Sequence, residues 1–440
     1  MLIEHFCNSF ISVSSGNQIL LCDPWLGLAN HGGWHNFPFL DAVEVAAKLA
    51  EPDLIYISHL HTDHFSPATL KILASSRSTF LIKNFSSKRL KNSITQLGFN
   101  KVIELDAFNP TVIGNFEFTI VPQFESNTDN LSDEVSFDLD TSLIIKEKSS
   151  KKVFFNAVDN PFSINSLTKV RNFVETTLDA KIDVACLASG AASEYPQCFP
   201  EIDRRTICDS YSLTSAQRFV ESVQVLEAGT SFLAGGRYAI SGRFCPLNHF
   251  LAQRSYSLIV ETHNKLQPLT DQSCHYIDGG GSISIDSKEI EIIPKEFVYW
   301  KNDFENHLSN LPYEYENFGT HKDNICAINE LFPIARQNLE RILRSKSFKS
   351  FAHISFKIHE QIFLDNLTPV LDRPCASFDL DPIGKSENSI EIHLESGALR
   401  GILDRRLVLN QVLSGSLAFQ IRKPDKFDAS TVFALNYFHT

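Results

Sequence analysis

The chain has 440 residues, of which 43% are hydrophobic and 21% charged, a balance that excludes a disordered tract and provides for a catalytic domain plus a smaller appended unit. Its formal net charge of −12, with no Lys/Arg run, excludes a phosphate-backbone reader and leaves nucleic acid without a docking stripe. A small anionic substrate stays compatible, because a metal centre can dominate the local field whatever the net charge.

In chain order, Met1-Leu2-Ile3-Glu4-His5 lacks the basic and then apolar pattern of a signal peptide, and no apolar run is long enough to span a bilayer, so a cytoplasmic protein is expected. Phe10–Val13, the turn Ser14-Ser15-Gly16-Asn17 and the apolar run Ile19–Cys22 read as a β-hairpin stopped by Asp23-Pro24. A loop rich in Gly and Trp follows, then a helical pattern from about Asp41 to Ala50. Leu54–Ile57 is wholly apolar, as a buried strand requires, and runs straight into a histidine cluster. Ser66-Pro67 supplies an N-cap and a first-turn proline for a helix carrying Leu70, Ile72 and Leu73. Further strands are predicted at Thr79–Ile82, Val102–Leu105, Phe116–Val121, Ser142–Ile145, Val153–Asn156 and Phe232–Ala234, with helix and loop between Asn160 and Val225. Strands followed by mixed strands and helices suit two sheets with helices packed outside. Beyond about Gln272 the character changes: Gly279-Gly280-Gly281 marks a linker or sharp turn, and strands recur at Ser389–Leu394 and Leu417–Ile421. The division expected is 1–270 for the catalytic domain and 271–440 for an α+β accessory region. Nine cysteines show no C-x-x-C pair, so free thiols, mostly buried, are expected rather than a disulfide framework or zinc ribbon.

The chemistry concentrates in Ser58-His59-Leu60-His61-Thr62-Asp63-His64-Phe65-Ser66, with three imidazoles and a carboxylate in six positions. These are the donors that hold Zn, Fe or Mn, and a turn after a buried strand can aim them at one point. His59 and His61 alternate and can share one metal, whereas Asp63 and His64 project after the turn and can reach a second. A histidine-rich surface loop is the bland alternative, disfavoured because only 15 histidines occur in the whole chain.

The pattern H-x-H-x-D-H, preceded by an apolar strand and by Leu20-Leu21-Cys22-Asp23-Pro24, resembles the metallo-β-lactamase superfamily over residues 1 to about 260. The resemblance implies an α/β fold, an αββα sandwich with one or two divalent metal ions at a sheet edge, zinc first and iron or manganese as alternatives. A narrower likeness is to the metallo-hydrolase-like part of the CMP-N-acetylneuraminate hydroxylases. It is carried by Cys22-Asp23-Pro24-Trp25-Leu26, Ile57-Ser58-His59, Phe155-Asn156-Ala157-Val158-Asp159, Ala188-Ser189-Gly190-Ala191-Ala192 and Ala234-Gly235-Gly236, with compatible residues at Leu403, Arg405 and Arg422-Lys423-Pro424-Asp425. The paired C-x-H and C-x-x-H ligand sets of a Rieske cluster do not occur in this sequence, so the hydroxylase reaction does not simply carry over.

The same resemblance implies that Asp159, after the strand Val153–Asn156, is the bridging aspartate and that His249 is the last histidine. Asp23 matches an early aspartate that supports the ligand loop through hydrogen bonds. A third histidine for the first metal is expected near Val121, yet none lies between His64 and His249; Gln123 or Glu125 could replace it, and Glu125 would complete a two-histidine, one-carboxylate set. Trp25, His31, Trp34 and His35 are candidates for the pocket wall, and Arg237 and Tyr238 for contact with an anionic group, with core packing or a surface ion pair as the structural alternatives. The leading expectation is a hydrolase acting through a metal-bound hydroxide, with Asp63 as the catalytic carboxylate, on a small anionic sugar, nucleotide-sugar or phosphate-ester-like substrate. An iron-dependent oxygenase on the same fold is the second reading, and a binding protein with a decayed site the third.

Overall fold

The computed structural model describes residues 1–124, 140–188, 192–251, 256–266, 272–291, 301–346, 350–382 and 388–440. The hairpin strands Phe10–Ser15 and Gln18–Cys22 pair antiparallel around Gly16, whose φ of 56° suits a residue without a Cβ. The apolar strand Leu54–Tyr56 lies parallel to Gln18–Cys22 and to Thr79–Lys83. Buried on both faces, it needs no polar alternation. The Ser66 hydroxyl accepts from the Thr69 amide and caps the helix Pro67–Leu73, which the chain enters directly from the histidine loop.

Eight strands form the first sheet, in the order Glu289–Glu291, Gly281–Ser284, Leu2–Cys7, Phe10–Ser15, Gln18–Cys22, Leu54–Tyr56, Thr79–Lys83 and Val102–Leu105. Seven form the second: Ser273–His275, Thr230–Ala234, Ile182–Ala188, Val153–Asn156, Thr141–Glu147, Phe116–Pro122 and Thr111–Ile113. Their inner faces share one core, in which Ile3, Val13, Leu20 and Leu81 meet Phe118, Ile145, Phe154 and Phe232. On the outer face of the first sheet Ile55, Phe80 and Ile82 pack on helix residues Leu70, Leu90 and Ile94. On the outer face of the second, Phe155 and Leu233 pack on Val170, Phe219 and Val223. The result is an αββα sandwich, the architecture that the resemblance to the metallo-β-lactamase superfamily implies.

Two features go beyond the sequence reading. Leu2–Cys7 is a central strand, unrecognised because the polar pair Glu4-His5 interrupts its apolar pattern. Strands between residues 273 and 291 complete both sheets, so sheet pairing carries the sandwich to Glu291, past the boundary expected at 270. Gly279 and Gly280, at φ of 85° and 99°, form a tight turn inside the sandwich.

In the C-terminal part the helix His321–Ser345 packs on a four-stranded sheet ordered Ala376–Leu380, His353–His359, Ser389–Glu395 and Phe419–Lys423. This core is continuous with Trp25, Trp34, Tyr238 and Phe244 of the sandwich. Phe244 stacks on Tyr313 at 5.6 Å and meets Phe419 edge-on at 5.2 Å. At the same seam Gly33 backs onto Gly415, so close that a Cβ on Gly33 would lie 2.1 Å from the Gly415 carbonyl oxygen. All nine cysteines are free, seven of them buried and Cys326 and Cys375 exposed. No helix among the described residues is long and apolar enough to cross a membrane.

Candidate metal centre

The site forms where Leu54–Tyr56 ends. The chain turns sharply there, with the His64 and Phe65 amides both donating to the His61 carbonyl. Thr62, at the apex, is clamped from outside: its hydroxyl accepts from the Asn30 amide at 2.8 Å and donates to the Asn30 side chain at 2.9 Å. With the turn fixed, His59 and His61 face one way and Asp63 and His64 the other.

Two groups of donors result, each with its ligand atoms within 4.8 Å of one another. His59, His61 and Asp140 form the first, and Asp63, His64 and Asp159 the second. In the first, His59 Nε2 lies 2.8 Å from His61 Nδ1 and 3.2 Å from Asp140 Oδ1. In the second, His64 Nε2 lies 3.1 Å from Asp159 Oδ2 and 3.4 Å from Asp63 Oδ2. The groups adjoin, with the His59 and His64 rings 4.1 Å apart.

Electrostatics and hydrogen bonding suit cations. Burial, with His64 and His61 beside it, holds His59 well below its ordinary pKa, which leaves a neutral imidazole with a free lone pair. Burial also opposes charge on His64, but Asp63, Asp159 and Asp23 outweigh it and hold that imidazole well above its ordinary value. Asp140 is pushed up to about 6, chiefly by burial. Its Oδ1 is buried and, among the described residues, has no hydrogen-bond partner, an expensive state for a carboxylate oxygen unless a cation answers it. The residues present therefore fit one or two metal ions.

The supports are equally specific. Asp23, fully buried, accepts from the Ser58 amide at 2.7 Å, the Ser58 hydroxyl at 2.6 Å and His64 Nδ1 at 3.0 Å. It thereby turns His64 Nε2 toward the donors. Thr141 donates to the Ser58 carbonyl at 2.8 Å and ties the Asp140 strand to the histidine loop. Gly235 leaves room for Asp159, since a Cβ there would lie 2.4 Å from Asp159 Oδ1.

Of the residues singled out by sequence, His59, His61, Asp63, His64 and Asp159 are brought together and Asp23 stands behind them. Gln123 follows the strand Phe116–Pro122, and Glu125 lies outside the described residues. Among the described residues the carboxylate beside His59 and His61 is Asp140, which the sequence reading missed. The register explains why. Pro122 pairs with Thr141, so the next residues outward, Gln123 and Asp140, face each other at the same sheet edge. Asp140 thus lies at the edge where the sequence reading placed its candidates, just ahead of the strand that follows them. The available signal was an aspartate immediately before the strand opening Thr141-Ser142-Leu143.

His249 is exposed on the 3-10 helix Gly242–Phe250 and belongs to neither group. Trp25 and Trp34 are core residues, Trp34 stacking on Tyr238 at 3.7 Å, and the Tyr238 hydroxyl donates to the Ser193 carbonyl. His31 accepts from the Val408 amide at 3.1 Å and contacts Glu314 at 2.7 Å, bridging to the C-terminal part. Burial takes His35 down to about 4, and it packs on Phe39 and His307. Arg237 pairs with Asp278 between the rings of Phe37 and Tyr276.

Comparison with known proteins places these observations among relatives. No family model matches the chain. It is 33% identical over 165 residues to the cytidine monophosphate-N-acetylneuraminic acid hydroxylase of Pan troglodytes, covering 36% of this chain and 25% of that protein. It is 35% identical over 85 residues to a Mycobacterium tuberculosis protein described as a putative Rieske 2Fe-2S iron-sulfur protein, covering 19% of this chain and 16% of the other. The chain thus spans a quarter or less of the length of these relatives. Among solved structures, CmlA, a diiron β-hydroxylase from Streptomyces venezuelae, aligns at 18% identity with a TM-score of 0.41, over 62% of this chain and 52% of that one. Igni18, a metallo hydrolase from Ignicoccus hospitalis, aligns at 16% identity with a TM-score of 0.42, over 64% and 98%.

Proposed function

We propose that the chain is a metal-dependent hydrolase that holds two ions between its adjoining donor groups and acts on a small anionic substrate. The observation that supports this is the pairing itself: two groups of three donors, side by side, each short of a full coordination shell. Divalent ions held there supply Lewis acidity and lower the pKa of a coordinated water toward about 7. Asp63, held by Asn8 at 3.1 Å, orients the attacking water and accepts its proton. Asp23 keeps the imidazole of His64 in one orientation, and Asp159 holds the opposite side of that ring. An anionic ester complements the positive charge that such a centre carries.

A second reading, oxygen chemistry on iron, is favoured by Asp140. Two histidines and one carboxylate are the set that non-haem iron oxygenases use, and one relative is named as a hydroxylase. Elemental analysis of the full chain purified without added metal, followed by assay on bis(p-nitrophenyl) phosphate, tests the proposal. About two zinc ions per chain with hydrolysis lost in His61→Ala and His64→Ala are expected. Retained iron that consumes oxygen, with no hydrolysis under any metal, selects the second reading, and a chain that holds no ion overturns both.

A further inference from the structure

The strands Leu2–Cys7 and Phe10–Ser15 are joined by a two-residue turn, Asn8-Ser9, with Cys7 opposite Phe10. Hairpin tips normally face water, yet both residues here are only 1% exposed. Asn8 adopts a φ of 45°, in the left-handed region that asparagine tolerates. Its backbone carbonyl accepts from the Gly235 amide at 2.8 Å. Its side-chain orientation is settled by the Arg237 amide, which can only donate and reaches Oδ1 at 3.3 Å. The Nδ2 group therefore faces Asp63, donating to Oδ2 at 3.1 Å. Next along the chain, the Ser9 hydroxyl donates to Asp159 Oδ1 at 3.4 Å and leaves Oδ2 toward His64.

We infer that Asn8 and Ser9 are positioning residues for the second metal: one buried turn holds both carboxylates of the Asp63, His64, Asp159 group. These carboxylates come from segments 55 and 150 residues further along the chain, and without a common brace their side chains rotate independently. The first group is braced differently, by Ser58 on His59 Nδ1 and by Thr141 beside Asp140. Loss of the turn's side chains thus acts on one ion of the two. Outer partners of this kind change metal affinity by about 10–100-fold.

The inference rests on the two-ion reading, and the test separates the two. Chelator-stripped full chain is titrated with Zn²⁺ in the wild type, Asn8→Gly, Ser9→Ala and His64→Ala. Glycine accepts the backbone angle of Asn8, and Ser9→Ala removes a single hydroxyl, so a folding failure in the first variant still leaves the second informative. Expected is a second-ion Kd raised about 10–100-fold in Asn8→Gly and less in Ser9→Ala, with the first ion unchanged. Second-ion binding at wild-type affinity in both variants, while His64→Ala abolishes it, overturns the inference alone. So does equal weakening of both ions, which marks a merely structural role. Two ions still bound in His64→Ala overturns the two-ion reading beneath it.

Discussion

Replacing Asp23 by asparagine changes one charge and almost no volume, and the surrounding hydrogen bonds fix what must follow. The backbone at Asp23 has a φ of 43°, which asparagine adopts as readily as aspartate. The Ser58 amide can only donate, so the asparagine oxygen must stay opposite it and the new NH₂ group takes the place of Oδ2. That group then points at His64 Nδ1, now 3.0 Å from an acceptor. Two donors cannot face each other, so the ring proton moves to Nε2, the atom that faces Asp63 and Asp159. A protonated Nε2 cannot bind metal. Loss of an outer partner weakens metal binding by about 10–100-fold, equal to about 1.4–2.7 kcal/mol, and the reversed tautomer places Asp23→Asn at the upper end. Stability of the metal-free protein should move by only about 1 kcal/mol, because the hydrogen bond lost to His64 is offset by relief of a buried charge that burial already disfavours. Zinc titration of the stripped variant, paired with urea unfolding, reads both quantities. Wild-type affinity for both ions in Asp23→Asn would refute the reasoning from tautomer to metal.

Three further outcomes are expected. His61→Ala should lose the ion held by His59, His61 and Asp140 while keeping the other, as elemental analysis before and after dialysis would reveal. Affinity for the ion at His59, His61 and Asp140 should fall as the pH drops through about 6, because Asp140 in the metal-free protein takes up its proton near 6; in Asp140→Asn the affinity is lower throughout and that contribution disappears. The linked sign for stability is the reverse: the folded, metal-free chain keeps a proton that the unfolded chain releases near 4, so Asp140 makes it less stable as pH rises from about 4 to about 6. Gly33→Ala carries no backbone strain at φ −76°, so its effect is the clash with the Gly415 carbonyl; overpacking of this kind costs about 1–3 kcal/mol, and an unchanged urea midpoint would contradict the close approach.

What the sequence made legible follows from distance along the chain. The histidine cluster spans six residues after a wholly apolar strand, so local geometry alone brings His59, His61, Asp63 and His64 to one edge. Asp159 follows because it trails a strand whose apolar run is unmistakable. Asp140 does not, because its place depends on the register between Phe116–Pro122 and Thr141–Glu147, which apolar periodicity does not encode. Asn8 and Ser9 were invisible for a similar reason: a polar turn reads as surface, and only the arrival of Gly235 and Asp159 buries it. Trp25 and Trp34 sit in a glycine-rich loop that suggests a pocket wall, but they belong to one apolar core with Tyr313 and Phe419, nearly 300 and nearly 400 positions away.

The apolar seam between Trp34, Tyr238 and Phe244 on one side and Tyr313, Tyr315 and Phe419 on the other has a consequence for cooperativity. Units with separate cores melt separately, whereas units that complete each other's core melt together. Here the sandwich keeps its own inter-sheet core but completes this seam only with the C-terminal part. Heating the intact chain should therefore give one calorimetric transition. A fragment ending at Glu291 would present Trp34, Tyr238 and Phe244 to solvent as a continuous adhesive patch, prone to self-association. The sandwich is thus not a portable module, and any exchange of its C-terminal partner, by engineering or by gene fusion, must preserve this aromatic seam.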